Sequence, residues 1–407
     1  MTQRTWIHPS WIIVLAGVCA ALHVGKLPPA LPVLQATLGM GLVEASFLLS
    51  ALQIASMTLG LAVGLTADGI GLRRSMLTGL ALLTCASAGG GFVTTASDLL
   101  GLRTLEGLGF LLVVMPAPGL IRRTVSPQQL TTRMGWWGSY MPAGSAMALL
   151  CGPWIVARVG WQIWWWVLAL VSVAMWFAVW RCVPVVPPAP ANAQDAWTKR
   201  LLLTLKTPGV WWVALTFAVY SGQWMAVIGF LPTMYAEMGL SASTTGVLTA
   251  CVAMANMLGN IASGRLLQRG WTPRAVLWLG FACMALGAFG AFGQWGAWDL
   301  PLAVRFVCVV IFSAVGGVIP GTLFATAVRV APSEGTLSTT VGYMQQWSAW
   351  GQFAGPPMVA LVATWTGGWQ WTWVVTVAMC GVGMVLAYRI GVLLSLPPAG
   401  QGIRVCA

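Results

Sequence analysis

Residues 64 to 77 read GLTADGIGLRRSML. A carboxylate, three glycines and two adjacent arginines sit here between long apolar runs, in a chain that uses charge sparingly. Of its 407 residues 58% are hydrophobic and only 7% charged, with a mean hydropathy of +0.83. Soluble domains carry about one-quarter charged residues. Apolar stretches such as Trp161 to Trp180 recur throughout, each long enough to cross about 30 Å of hydrocarbon as a helix. A membrane β-barrel would show short alternating segments instead. The chain therefore reads as an all-α integral membrane protein, and residues 64 to 77 as a charged turn at the membrane surface.

Working outward from that turn gives twelve spans. They start near Trp11, Glu44, Met76, Leu99, Met134, Trp161, Val210, Thr244, Ala275, Leu300, Thr339 and Trp369. The Pro/Ala run and charges of residues 183 to 208 mark a solvated linker between the sixth and seventh. With the N-terminus in the cytoplasm, 16 of the 20 Lys+Arg fall on the inner side. The positive-inside rule then places both termini in the cytoplasm of a multi-pass protein of the cytoplasmic (inner) membrane. The same distribution accounts for the net charge of +12 without nucleic acid. The first span runs past Cys19 and Ala20 to Lys26 without a clear cleavage site, so it reads as a retained helix. Nine scattered cysteines without a CxxC pair and only two histidines point to no metal centre and no cofactor.

The two halves repeat. LPVLQATLGMG at 31 to 41 matches LPTMYAEMGLS at 231 to 241 at an offset of 200. Gly64 matches Gly264, Arg103 matches Arg305, Pro116 matches Pro320, and GWQ at 160 to 162 matches GWQ at 368 to 370, the offset growing slowly to 208. Ordered matches of this kind indicate a duplicated six-helix unit: residues 1–182, the linker 183–208, and residues 209–407. Parallel repeats of this type place a substrate site between them near the midplane.

The turn itself resembles the signature loop of the major facilitator superfamily, G-x-L-x-D-R/K-x-G-R-R/K, through Gly64, Asp68, Gly71 and Arg73 or Arg74. Thr66, Gly69 and Leu72 depart from it, and the second-half counterpart has Gln268 where the acid would be. Arg103, Gly107 and Gly109 match the family's fourth-helix pattern R-x-x-x-G-x-G, and Gly144, Gly152 and Pro153 loosely match its fifth-helix motif. The texture of the first half is most similar to the cyanate/nitroimidazole-type branch. The resemblance implies two pseudo-symmetric six-helix halves, a monomer that works by alternating access, and a gating role for Gly64, Asp68, Gly71, Arg73 and Arg74. The competing reading of the arginines is simple anchoring at the inner surface.

Charges inside spans are costly and usually face a cavity or a partner. Lys26, Arg103, Glu106 and Arg305 are such charges. Arg103 and Arg305 are repeat-equivalent, so a pseudo-twofold would set them on opposite walls of one cavity. In the resembled family helices 1, 4, 7 and 10 line that cavity. His23 lies one turn before Lys26, with Gln223 as its repeat equivalent, and Trp224 is a further candidate for the wall. These six residues form the expected substrate site. Three cations against one carboxylate suggest a small anionic solute, because guanidinium forks bind such oxygens well. Glu106 has two open readings: an i, i+3 partner of Arg103, or a group that takes up a proton when that pair breaks and so couples transport to protons. Snorkelling to the surface remains the alternative for Arg103.

The favoured function is a secondary active transporter of a small anion, as symporter or antiporter, in the lipid bilayer. The alternative is a proton-antiport exporter of drugs or apolar metabolites, which the 25 tryptophans and 19 methionines would suit. An enzyme is not expected, since no acid, base or metal cluster is evident.

Overall fold

The computed structural model describes residues 8–126, 129, 133, 136–185, 195–293, 300–333 and 336–395, with the side chains of 61, 64–70, 195–197, 200, 337 and 338 left undescribed. The structure is helical throughout these residues. In chain order the helices are α1 (Pro9–Leu38), α2 (Leu42–Ala51 and Gln53–Ile70), α3 (Leu72–Gly90), α4 (Ala96–Thr124), α5 (Trp136–Val159), α6 (Trp161–Cys182) and α7 (Asp195–Lys206). There follow α8 (Pro208–Glu237), α9 (Ala242–Gln268), α10 (Pro273–Phe292), α11 (Leu302–Val330), α12 (Leu337–Thr366) and α13 (Trp369–Ser395). Among the described residues nine of these are individually long and apolar enough to span a membrane, and bent α2 makes ten. The more polar α3 and α12 complete twelve spans, while α7 falls in the expected linker. Met134, the expected start of the fifth span, lies outside the described residues.

The duplication is visible in the backbone. Gly39 and Gly239, equivalent at offset 200, both close a helix with positive φ (64° and 77°). Gly71 (96°) and Gly270 (89°) turn the chain between α2 and α3 and between α9 and α10. Side chains with a Cβ rarely adopt this region, so glycine recurs at the equivalent turns.

Several spans are interrupted. α1 breaks at Lys26, just before Pro28 and Pro29; α4 breaks at Met115 and Pro116; α11 breaks at Gly317, before Pro320. Proline lacks the N–H that would continue the ladder and clashes with the preceding turn. α2 bends by 48° at Leu52. Glycines let the rods cross closely. A Cβ at Gly107 on α4 would stand 2.0 Å from the Leu52 carbonyl oxygen, and one at Gly351 on α12 would stand 1.9 Å from that of Ala218 on α8. Small residues at such crossings supply the van der Waals contact that holds helices together in lipid.

Arg73, Arg74, Arg122, Arg123, Arg181, Arg265, Arg274, Arg329 and Arg389 all lie near helix termini that alternate so as to share one end of the bundle, here termed the basic end. The first six spans meet the last six along three seams: the second segment of α1 on α8, α2 on α12, and α5 on α9. Leu49 packs against Gly229, and Phe47 lies 6.3 Å from Phe353. Gln53 Nε2 donates to Gln352 Oε1 (2.9 Å), and Gln346 Nε2 donates to the Met57 carbonyl (2.7 Å). Met57 is about 22 Å along α2 from its start at Leu42, so these contacts reach from the end opposite the basic one to past mid-depth.

Candidate functional site: a buried charge cluster

The residues that break the apolar pattern of the first half converge. Glu106 projects from α4 between Lys26 of α1 and Arg103, one turn earlier on α4. Lys26 Nζ pairs with Glu106 Oε1, while Arg103 Nη1 donates to Glu106 Oε2 at 2.6 Å. The relative exposures are 0% for Lys26 and 1% for both Arg103 and Glu106. Arg103 Nη1 also donates to the His23 carbonyl (2.7 Å), tying the guanidinium to α1. This settles the snorkelling alternative: Arg103 turns inward and is held there.

The other helices complete the enclosure. Lys26 Nζ donates to Ser87 Oγ of α3 (2.8 Å) and stands 4.5 Å from the centre of the Trp165 ring of α6. Ser87 in turn donates to the Trp165 carbonyl (2.9 Å). His23 Nε2 meets Ser172 Oγ at 2.8 Å, and His23 Nδ1 lies 3.7 Å from Glu106 Oε1. At the break in α1, Trp164 Nε1 of α6 donates to the Lys26 carbonyl at 3.0 Å. Lys26 is both the charge and the residue at the break of its span. Counting one charge on each of Lys26, Arg103 and Glu106, the cluster carries one net positive charge inside the bundle.

The remaining expected site residues lie elsewhere. Gln223 Oε1 accepts from Cys380 Sγ of α13 (3.2 Å), and Trp224 Nε1 donates to Ser313 Oγ of α11 (3.2 Å). Arg305 lines a groove at the end of α11 opposite the basic end, with Tyr235, Phe292 and Trp369. It does not face Arg103 across a shared cavity. The residue three positions after Arg305 is Cys308, where the first half has Glu106 three positions after Arg103. Among the turn residues, Arg73 Nη2 donates to the Trp180 carbonyl of α6, within its own half. Gly71 makes the positive-φ turn, and Arg74 is exposed. Gly64 and Asp68 fall among the residues whose side chains are not described.

Ser87, Trp165 and Ser172 were not read from the sequence as site residues. An isolated serine in an apolar span is the only signal for Ser87 and Ser172, and Trp165 sits in the tryptophan run WQIWWW at 161 to 166; neither says which way the helix turns. Among the described residues no group of three or more metal-ligating side chains occurs.

The family model for the Major Facilitator Superfamily matches residues 13–356 and 213–401. The chain belongs to the Major Facilitator Superfamily. Its relatives include the cyanate transport protein CynX of Escherichia coli, 26% identical over 61% of this chain and 64% of that one. The tetracenomycin C resistance and export protein of Streptomyces glaucescens is 28% identical over 39% of this chain and 29% of its own length. The chloramphenicol resistance protein of Pseudomonas aeruginosa is 26% identical over 55% and 54%. The chain thus matches just under two-thirds of the first of these relatives and less of the others. In fold it is similar to a bacterial homologue of the human lysosomal transporter Spinster in an inward-facing, unoccupied conformation (TM-score 0.77, 15% identity, 97% of this chain and 100% of that one). It is also similar to a D-xylose-proton symporter (TM-score 0.74, 15% identity, 94% and 97%). With its apolar spans, the family places the chain in a membrane as a multi-pass protein.

Proposed function

We propose that this superfamily member is a secondary active transporter that moves a small anionic solute across the cytoplasmic membrane, coupled to protons, with its basic end and both termini in the cytoplasm. The observation that carries this reading is the buried cluster in which Lys26 and Arg103 share the single carboxylate of Glu106. An uncompensated positive charge is poorly tolerated away from water, and a solute anion would neutralise it. The guanidinium fork of Arg103 suits carboxylate-like oxygens.

In this mechanism the second segment of α1 moves with α8, on which it packs, and swings about the break at Lys26. The movement opens the cluster to the passage between the halves. An incoming anion takes the place of Glu106 on Arg103 and Lys26. Glu106, left without its cations in a poorly hydrated surrounding, takes up a proton, which travels with the solute or is exchanged for it. His23 orients Arg103 through its carbonyl. Gly64, Asp68, Gly71, Arg73 and Arg74 form the proposed clamp at the basic end, where Arg73 is engaged with its own half until the halves rock. The working unit is a monomer, since each half completes its own side of the passage.

Uptake into proteoliposomes tests the reading, using cyanate and monocarboxylates with and without an inward proton gradient. Saturable anion uptake that requires Lys26 and Arg103 and responds to the gradient only when Glu106 is present is the expected outcome. Anion-independent efflux of apolar compounds, untouched by these substitutions, would overturn it in favour of the second reading, a drug exporter. The names of the chloramphenicol and tetracenomycin C relatives favour that second reading.

A further inference from the structure

Both ring nitrogens of His23 are engaged inside the first half. Lys26 Nζ stands 3.5 Å from Nδ1, and an ammonium group only donates. Nδ1 is therefore the acceptor, and Nε2 carries the hydrogen that goes to Ser172 Oγ at 2.8 Å. With its oxygen accepting, Ser172 is free to turn its own hydrogen toward Cys19 Sγ, 3.5 Å away. The donors thus point one way, from Lys26 through His23 and Ser172 to Cys19. The head of this chain abuts the coupling carboxylate, since Nδ1 lies 3.7 Å from Glu106 Oε1. His23 and Ser172 are 0% exposed and Cys19 2%. Cys19 precedes Lys26 by seven residues, which puts it about 10 Å nearer the basic end. Among the described residues, the charged and titratable groups around the ring are Lys26 and Cys19 of α1 and Arg103 and Glu106 of α4. From α6 comes the neutral hydroxyl of Ser172, and from α3 that of Ser87, which Lys26 reaches. The lone pair on Nδ1 repels an anion and accepts a proton.

We propose that His23 is the proton relay of this transporter, taking the proton that Glu106 discharges and passing one to Ser172 on the side of the basic end. The inference rests on the proton-coupled reading above and adds the route. When the solute leaves, Arg103 and Lys26 return toward Glu106, and their charge favours its ionised form. The O–H bond of Glu106 breaks, and its proton binds the lone pair of Nδ1. The Nε2–H bond breaks in turn, and that hydrogen passes to Ser172 Oγ, whose own hydrogen leaves to water entering from the basic end. One proton enters the ring and one leaves, so no charged imidazole has to persist away from water. The same water returns the ring to its resting tautomer.

Transport in proteoliposomes separates a relay from a structural role, with labelled cyanate or acetate as solute. Two rates are compared in each variant: uptake driven by an inward proton gradient, and exchange of labelled against unlabelled anion at equal pH, in which Glu106 need not release its proton. His23→Gln keeps a hydrogen-bonding side chain in place but cannot take up a proton at one end and give one up at the other. It should lower the ratio of driven uptake to exchange about a hundredfold, the lower end of what a positioned acid–base group contributes. Ser172→Ala should lower the same ratio, and Ser172→Thr, which restores the hydroxyl, should recover it. A ratio equal to that of wild type in folded, monodisperse His23→Gln and Ser172→Ala would overturn the relay and leave the coupled reading standing. Wild-type uptake indifferent to the gradient would instead overturn the coupled reading, and the relay with it.

Discussion

Lys26 and Glu106, 80 positions apart in sequence, form an ion pair with neither residue more than 1% exposed. Removing one partner of a buried pair leaves a naked charge and typically costs about 3–5 kcal/mol. Glu106→Gln strands two cations and should lower the melting temperature in detergent sharply. Adding Lys26→Met to it should recover part of that loss, because only Arg103 then lacks a counter-charge. Additive losses in a double-mutant cycle would show that the two groups do not interact.

Arg103 donates through Nη1 to both Glu106 and the His23 carbonyl. Loss of a charged hydrogen bond to the solute is worth about 1.5–3 kcal/mol. Arg103→Ala should therefore reduce anion uptake at least about tenfold. Arg103→Lys, with charge but no fork, should fall between. Full activity in Arg103→Ala would remove this residue from the solute path.

How much of this was legible in the sequence differs from residue to residue. Span positions and the repeat follow from composition and ordered matches, because lipid admits only helices of a set length. The matched prolines Pro116 and Pro320 stand at the breaks of α4 and α11. The Arg103–Glu106 contact was readable from i, i+3 spacing. The Lys26–Glu106 pair was not, since it depends on how α1 and α4 rotate against each other. Arg305 misled because equivalence in a repeat transfers backbone position, whereas side-chain direction follows the local partner, and Cys308 replaces a glutamate there. Gln223 and Trp224 likewise answer to Cys380 and Ser313, neighbours that no pattern in the chain announces.

Gly107→Ala places a methyl 2.0 Å from the Leu52 carbonyl oxygen, a backbone atom that cannot turn aside. Overpacking of this kind costs typically about 1–3 kcal/mol. Its melting temperature should fall, while that of Gly101→Ala, where nothing lies within 4 Å, should hold or rise. Equal behaviour of the two variants would mean that α4 does not press on the bend of α2.

Gln53 and Gln352 touch across the seam between α2 and α12. Cysteines at both positions, joined by a short bifunctional thiol reagent in a background lacking native cysteines, should arrest uptake reversibly. Unchanged flux in the cross-linked protein would show that this seam never opens.

The paired turns at Gly39 and Gly239 and at Gly71 and Gly270 show one frame used twice, yet the ion cluster seen among the described residues lies in the first copy. Position 226, matching Lys26, is alanine, and position 308, matching Glu106, is cysteine. Duplication has thus led to a division of labour. One copy keeps the costly chemistry, and the other, relieved of it, is free to drift in sequence so long as it still fits as the opposing jaw. Changes of substrate within such a lineage should accumulate first where that second jaw meets the passage.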